Sequence, residues 1–212
     1  MLGNILWLLG FVAVVVLFAW LTRRAWHSKR AWVKYPGIVL AGLLTIVFAI
    51  VTLVIGKGMF DLYRPYPVAA VSVSIGGTPE QIARGEHLAS VLCASCHTQN
   101  GELPLSGGNN MSAETGLPLG DVYAANITPA GKLKELSDAD LYRILRTGIE
   151  PSGRLTAMNF FAPRSMSDED VQAIIAYSRQ SQAVDGTRPP FSPSPLFAAM
   201  IGLGSAASGR PG

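Results

Sequence analysis

The segment Cys93-Ala94-Ser95-Cys96-His97 contains the only two cysteines in a chain of 212 residues. Two thiols with two residues between them can be presented by one turn of backbone, and the histidine that follows adds an imidazole beside them. A thioredoxin-like redox pair needs a surrounding βαβ pattern, and a zinc site needs further thiol or imidazole ligands nearby. The sequence supplies neither. The spacing is that of covalent attachment of a c-type haem, in which the thiols add to the two vinyl groups of the porphyrin and the histidine faces the iron. The expected cofactor is therefore one covalently attached haem c, held by Cys93, Cys96 and His97.

The iron's second axial position needs its own ligand. An electron carrier with both axial positions filled keeps reorganisation small and excludes oxygen and peroxide. Met111, Met158, Met166 and Met200 lie downstream, and no histidine follows His97; His27 and His87 precede it. A thioether is a weak donor that favours the ferrous state and raises the reduction potential. Met158 is the first candidate, because it lies in a stretch between two predicted helices, from which a side chain can reach across a planar group. Met166 has a structural reading as a staple residue packing near Val171. It stays open as an alternative, with Met111, His87 or an open site.

These groups must be positioned by helices. Thr78 is a good N-cap with Pro79 in the first helical position and Gln81 at the capping-box position, so a helix begins there and runs into the cysteines. Its predicted buried side is Ile82, Leu88, Val91 and Leu92. Gly85 within it marks either a close approach by another helix or a tolerated surface glycine. A second helix spans Asp138–Arg146, capped by Ser137, with Leu141, Ile144 and Leu145 as its apolar side and Gly148 as its stop. A third starts at the Ser167 cap, carries Val171, Ile174, Ile175 and Tyr177, and runs to about Ser181. Residues 98–129 show no periodicity. The resulting haem domain, residues 78–182, is small for an independent core, so the porphyrin is expected to take part in the packing.

Upstream, Ile5–Leu21 is uninterrupted apolar sequence, and Gly37–Gly56 is broken only by Thr45 and Thr52. Each is close to the ~20 residues that span a bilayer core, and such a run in lipid must be helical. The loop between them, residues 22–36, carries Arg23, Arg24, Lys29, Arg30 and Lys34 with no acidic residue, which places it in the cytoplasm. A signal peptide fits less well, since no basic stretch precedes the first run and no small-x-small site follows it. Residues 1–56 thus read as a two-helix anchor in a bacterial inner membrane. A connector over 57–77 leads to a periplasmic haem domain, and a Pro/Gly/Ser-rich tail follows over 183–212. That tail reads as a flexible end or as an arm on a neighbouring subunit. The fold class is all-α.

The net charge of +3 is a property of the loop: from Lys57 onward there are 12 basic and 14 acidic side chains, a net of −2. The soluble part gives no argument for nucleic acid as a partner. No dinucleotide fingerprint, copper cluster or nucleophilic constellation is present, so no catalytic site of its own is expected.

Several further strings are spaced along the same region: Ala83-Arg84-Gly85-Glu86, Asn126-Ile127-Thr128-Pro129, Ser137-Asp138-Ala139-Asp140, Arg146-Thr147-Gly148, Ala157-Met158 and Met166-Ser167-Asp168-Glu169-Asp170. With the cysteine motif they make residues 80 to 180 resemble the mono-haem class I cytochrome c family. The resemblance is closer to the cytochrome c modules of membrane-bound alcohol, aldehyde and gluconate dehydrogenases and related electron-transfer subunits. It implies that Met158 is the distal ligand and that Asn126–Pro129 lies in the loop around the haem. It also implies single-electron transfer to and from other subunits of a membrane redox complex or a small soluble carrier. Two N-terminal spans are unusual for those modules and point to a dedicated mono-haem subunit of a respiratory or photosynthetic complex. The rival classes are a ligand-sensing or peroxide-reducing haem protein and a mainly structural subunit.

Overall fold

The structure is a computed structural model that describes residues 2–161 and 165–207. Its helices are α1 (Leu2–Trp26), α2 (Ala31–Tyr63), α3 (Pro79–Leu92), α4 (Ala94–His97), α5 (Met111–Thr115), α6 (Asp138–Thr147), α7 (Met158–Phe161), α8 (Asp168–Gln180) and α9 (Pro195–Ala207). Two short strands, β1 (Gly120–Asp121) and β2 (Ser192–Pro193), pair antiparallel, Gly120 opposite Pro193. The chain divides into two compact units, Met1–Asp61 with Ser194–Arg210, and Leu62–Pro193.

In the first unit, α1 and α2 are long and apolar enough to cross a membrane by length and composition. The hydroxyls of Thr22, Thr45 and Thr52 each donate to the carbonyl four residues earlier, at 2.6–2.8 Å, so none of the three is left unsatisfied on the apolar surface. The connecting loop is only residues 27–30, shorter than the predicted 22–36, because no helix breaker interrupts Thr22 to Trp26. At its other end α2 continues seven residues past Gly56. The first strong breaker there is Pro65, and Lys57 and Asp61 form an ion pair at 2.8 Å one turn apart.

The tail departs most from expectation. Pro195–Ala207 is a helix that packs on its own chain, with Phe197 and Ile201 fully buried. A Cβ at Gly58 would lie 1.6 Å from the Ala198 carbonyl oxygen, and one at Gly202 would lie 2.3 Å from the Val54 oxygen. The glycines and alanines that read as a flexible tail are the surface that lets α9 approach α2. Lys57 Nζ adds a hydrogen bond to the Gly202 carbonyl at 3.0 Å. Residues 208–212, the end of the predicted tail, lie outside the described residues.

The second unit is organised around α3 and α8. Gly85 is buried, and a Cβ there would stand 1.9 Å from the Ala173 carbonyl oxygen and 2.9 Å from Tyr177 Cβ. Of the two readings of this glycine, the close approach holds. Ala89, one turn on, is fully buried. The predicted buried side of α3 is corrected at Val91, which is 64% exposed. A contact close enough to need Gly and Ala turns the larger residues off the shared face.

Helix α6 has the predicted Ser137 cap, which Asp140 closes into a capping box, and Gly148 ends it in the left-handed conformation at φ 71°. Ser167 caps α8, which buries Val171, Ile174, Ile175 and Tyr177. Its acidic first turn holds the other helices: Asp170 pairs with Arg84 of α3, and Asp168 with Arg146 and Tyr142 of α6. The connector after α2 forms no strand. It is extended chain docked on the domain, with Tyr66 N–H donating to the Gly153 carbonyl at 2.8 Å and Arg143 Nε to the Ala69 carbonyl at 3.1 Å.

The Gly85 contact gives a direct prediction. Gly85→Val overpacks the α3–α8 interface and should cost about 1–3 kcal/mol, lowering Tm by roughly 5–20 °C in a thermal melt of the purified chain. The carboxylates give a second. The Tyr142 hydroxyl and Arg146 hold Asp168, and Arg84 holds Asp170, below the ordinary carboxylate range. A depressed folded pKa contributes stability above the unfolded value of about 3.9, lost as pH falls through the folded value. Unfolding monitored below about pH 4 should therefore be less steep in pH for Asp170→Asn than for the parent chain.

Candidate haem site

Helix α3 stops immediately before the motif. Cys93 is its C-cap, its N–H bonded to the Ala89 carbonyl at 3.0 Å, and α4 restarts at Ala94. His97 N–H returns to the Cys93 carbonyl at 2.9 Å, so both thiols and the imidazole project from one tight turn at the break. The small side chain that allows the turn to settle on the domain is Ala94, which is 2% exposed. Neither cysteine is in a disulfide, and burial, then the neighbouring Cys96, pushes the Cys93 thiol up to about 11.

His97 is buried, with Nδ1 2.8 Å from the Ala125 carbonyl oxygen. A carbonyl only accepts, so Nδ1 carries the hydrogen and Nε2 keeps its lone pair, the tautomer a metal-binding imidazole needs. Burial lowers its pKa, with the Ala125 bond opposing, and so favours the neutral ring.

The loop that supplies Ala125 is tied to the motif on several sides. Gly107 N–H donates to the His97 carbonyl at 2.7 Å, Gly108 N–H to Ala124 at 3.1 Å, and Asn109 Nδ2 to Ser95 at 2.9 Å. Gly107 has φ 74°, and a Cβ there would meet Asn126 N at 2.5 Å, so glycine is required twice over. Asn126 is the hub. Its Oδ1 accepts from Thr128 N–H and Oγ1, at 2.9 and 2.8 Å, while its Nδ2 donates to the Val184 carbonyl at 2.7 Å.

Met158 opens the one-turn helix α7 rather than lying in an open loop. Thr156 bonds the Gly148 carbonyl through both N–H and Oγ1, each at 2.9 Å, and Asn159 Nδ2 bonds Thr147 at 2.9 Å. The methionine is thus fixed to the end of α6. A cavity of about 430 Å³ brings Cys93, Cys96, His97 and Met158 together, with Met111 and Met166 also on its walls. His87 and Met200 do not line it. Ile127, Leu133, Leu141, Ile144 and Ile174 make most of its wall apolar. That volume is in the ~300–1,000 Å³ range of cofactor sites. Two thiols, a neutral imidazole and a thioether on one apolar cavity are a donor set that fits a macrocycle with iron at its centre.

Sequence reasoning missed Lys132, Arg154, Arg188 and Phe191, which also line the cavity. The last two fall in the presumed tail. They carry no periodic signal, because extended chain bound by side-chain hydrogen bonds leaves none.

Residues 80–177 match the family model described as cytochrome C oxidase, cbb3-type, subunit III. The gluconate 2-dehydrogenase cytochrome c subunit of Pantoea cypripedii is 34% identical over 101 residues, a match covering 45% of this chain and 22% of that relative. This chain therefore corresponds to less than a quarter of the relative's length.

Asn126→Ala removes the acceptor of the fully buried Thr128 N–H and leaves the Val184 carbonyl only the Thr128 hydroxyl, at 3.3 Å. At about 1–3 kcal/mol for groups so stranded, hydrogen exchange across residues 184–188 should quicken by roughly 5- to 100-fold, as read by mass spectrometry.

Proposed function

We propose, from the c-type cytochrome domain at residues 80–177, that this chain is a membrane-anchored electron-transfer subunit holding one covalently attached haem c. The supporting observation is the single apolar cavity shared by Cys93, Cys96, His97 and Met158. In this reading each cysteine adds S–H across a vinyl group, the sulfur bonding one carbon and the hydrogen going to the other. His97 offers Nε2 to the iron while Ala125 fixes the ring, and Met158 offers its sulfur from the end of α6. Bound haem supplies an iron that takes up and releases one electron at a time. The apolar walls exclude water and the two protein ligands limit rearrangement.

Helices α1 and α2 anchor the protein in the bacterial inner membrane as a multi-pass segment, the basic loop lying in the cytoplasm and the haem domain on the periplasmic side. Anchoring confines the haem near donor and acceptor and raises their effective concentration. The Pantoea cypripedii relative is named as a dehydrogenase subunit. By that likeness the partners are other subunits of a redox complex; the two apolar helices add the lipid bilayer, and the reading includes a small soluble carrier.

The test uses the full chain in mild detergent. The denatured polypeptide should keep its colour and weigh one haem more than the bare chain, and the reduced protein should not bind carbon monoxide. A colourless chain of bare mass overturns the reading, and immediate carbon monoxide binding favours the ligand-sensing rival. Met158→Ala should lower the potential and create a high-spin, carbon-monoxide-reactive form; an unchanged spectrum moves the ligand to Met166.

A further inference from the structure

The chain that follows α8 is bound along the haem domain before it reaches α9. Val184 N–H donates to Thr128 Oγ1 at 3.2 Å, and its carbonyl accepts from Asn126. Arg188 Nη1 donates to the Tyr123 carbonyl at 3.2 Å. Ser192 and Pro193 pair with Asp121 and Gly120, and Pro193 is fully buried. Residues 184–193 are therefore fastened at both ends and near the middle to 120–128, the segment whose Ala125 carbonyl orients His97. From this strap Arg188 and Phe191 reach the haem cavity, although both lie beyond the family match at residues 80–177.

The charges on the cavity wall are unbalanced. Lys132, Arg154 and Arg188 face one carboxylate, Glu150, and Lys132 already stands 3.5 Å from it. Neither Arg154 nor Arg188 has a carboxylate partner among the described residues. The bond from Arg188 to Tyr123 uses one of five N–H donors and meets a neutral carbonyl, leaving the charge uncompensated. A guanidinium at the edge of an apolar cavity is suited to a carboxylate, which it can grip with two parallel hydrogen bonds. The carboxylates that haem brings are its two propionate substituents.

We propose that Arg188 binds a haem propionate from the strap and holds the reduction potential up. This rests on the haem reading above. A fixed positive charge at the haem edge disfavours the more positive ferric state.

The experiment compares the full chain in mild detergent with Arg188→Gln and Arg188→Lys. It reads the mass of the denatured chain, the spectrum and the midpoint potential. All three proteins should carry one haem with an unchanged spectrum. R188Q should have a lower potential, and R188K, which keeps the charge, should stay close to the parent value. Haem-loaded R188Q at the parent potential overturns the proposal while leaving the haem reading intact. So does an equal fall in both variants, which would mean that the arginine only shapes the strap. A parent chain without haem overturns the reading on which the proposal rests.

Discussion

The haem domain depends on how closely two backbones approach at Gly85. With the Ala173 carbonyl 1.9 Å from where a Cβ would sit, α3 can cross α8 only through a residue without a side chain. That crossing fixes the axis of α3, and the axis fixes where its C-terminal end delivers Cys93. The motif residues follow within one turn, so an error in the crossing would be transmitted directly to both thiols and the imidazole. Ala89 and Ala94 continue the same restriction toward the cavity, each almost fully buried. Salt bridges from the first turn of α8 to Arg84 and Arg146 support this arrangement from outside. Each pair keeps one partner exposed, Arg84 in one and Asp168 in the other, so solvent screens it and it adds orientation more than stability.

The remaining site elements are held by hydrogen bonds rather than by helix packing. Asn126 is placed between Thr128, Val184 and the Gly131 turn, and it controls the segment that presents the Ala125 carbonyl to His97. Gly148 and Thr156 perform the corresponding task for Met158, binding α7 to the end of α6. A short polar knot serves here because neither segment is long enough to bury an apolar face of its own. Each knot satisfies backbone groups that would otherwise be buried without partners, and satisfying them fixes the chain in one conformation.

Much of this was legible in the sequence where one residue type has one use. The Ser137 and Ser167 caps, the Gly148 stop and the cysteine–histidine motif act locally, so their spacing is enough to read them. The orientation of α3 was not legible. Its apolar residues suggested Val91 as core, but the partner helix selects the small face instead, and that choice belongs to the tertiary contact. The same ambiguity misled the reading of the C-terminus. Gly202 and Ala198 have the composition of a flexible tail and the function of a packing surface, and only the proximity of Gly58 and Val54 distinguishes the two. Residues 184–193 left no signal because their partners, the Asn126 and Thr128 side chains, the Tyr123 carbonyl and the strand at 120–121, lie more than fifty positions away.

The two apolar clusters of the domain show why a cofactor belongs in its packing. Leu133, Leu136, Leu141, Val171 and Ile175 form one cluster, and Ala89, Ala94, Leu105 and Tyr177 form another, with Ile127 packed against both. Leu133, Leu136, Leu141, Ile175 and Ile127 also line the haem cavity. A domain of this length buries a smaller fraction of its surface than a larger one does. A planar apolar group against those side chains removes their remaining surface from water at ~25 cal/mol per Å². In the proposed reading, covalent attachment would keep that contribution from being lost by dissociation, and the two cysteines would join the cofactor to the core as well as to the chain.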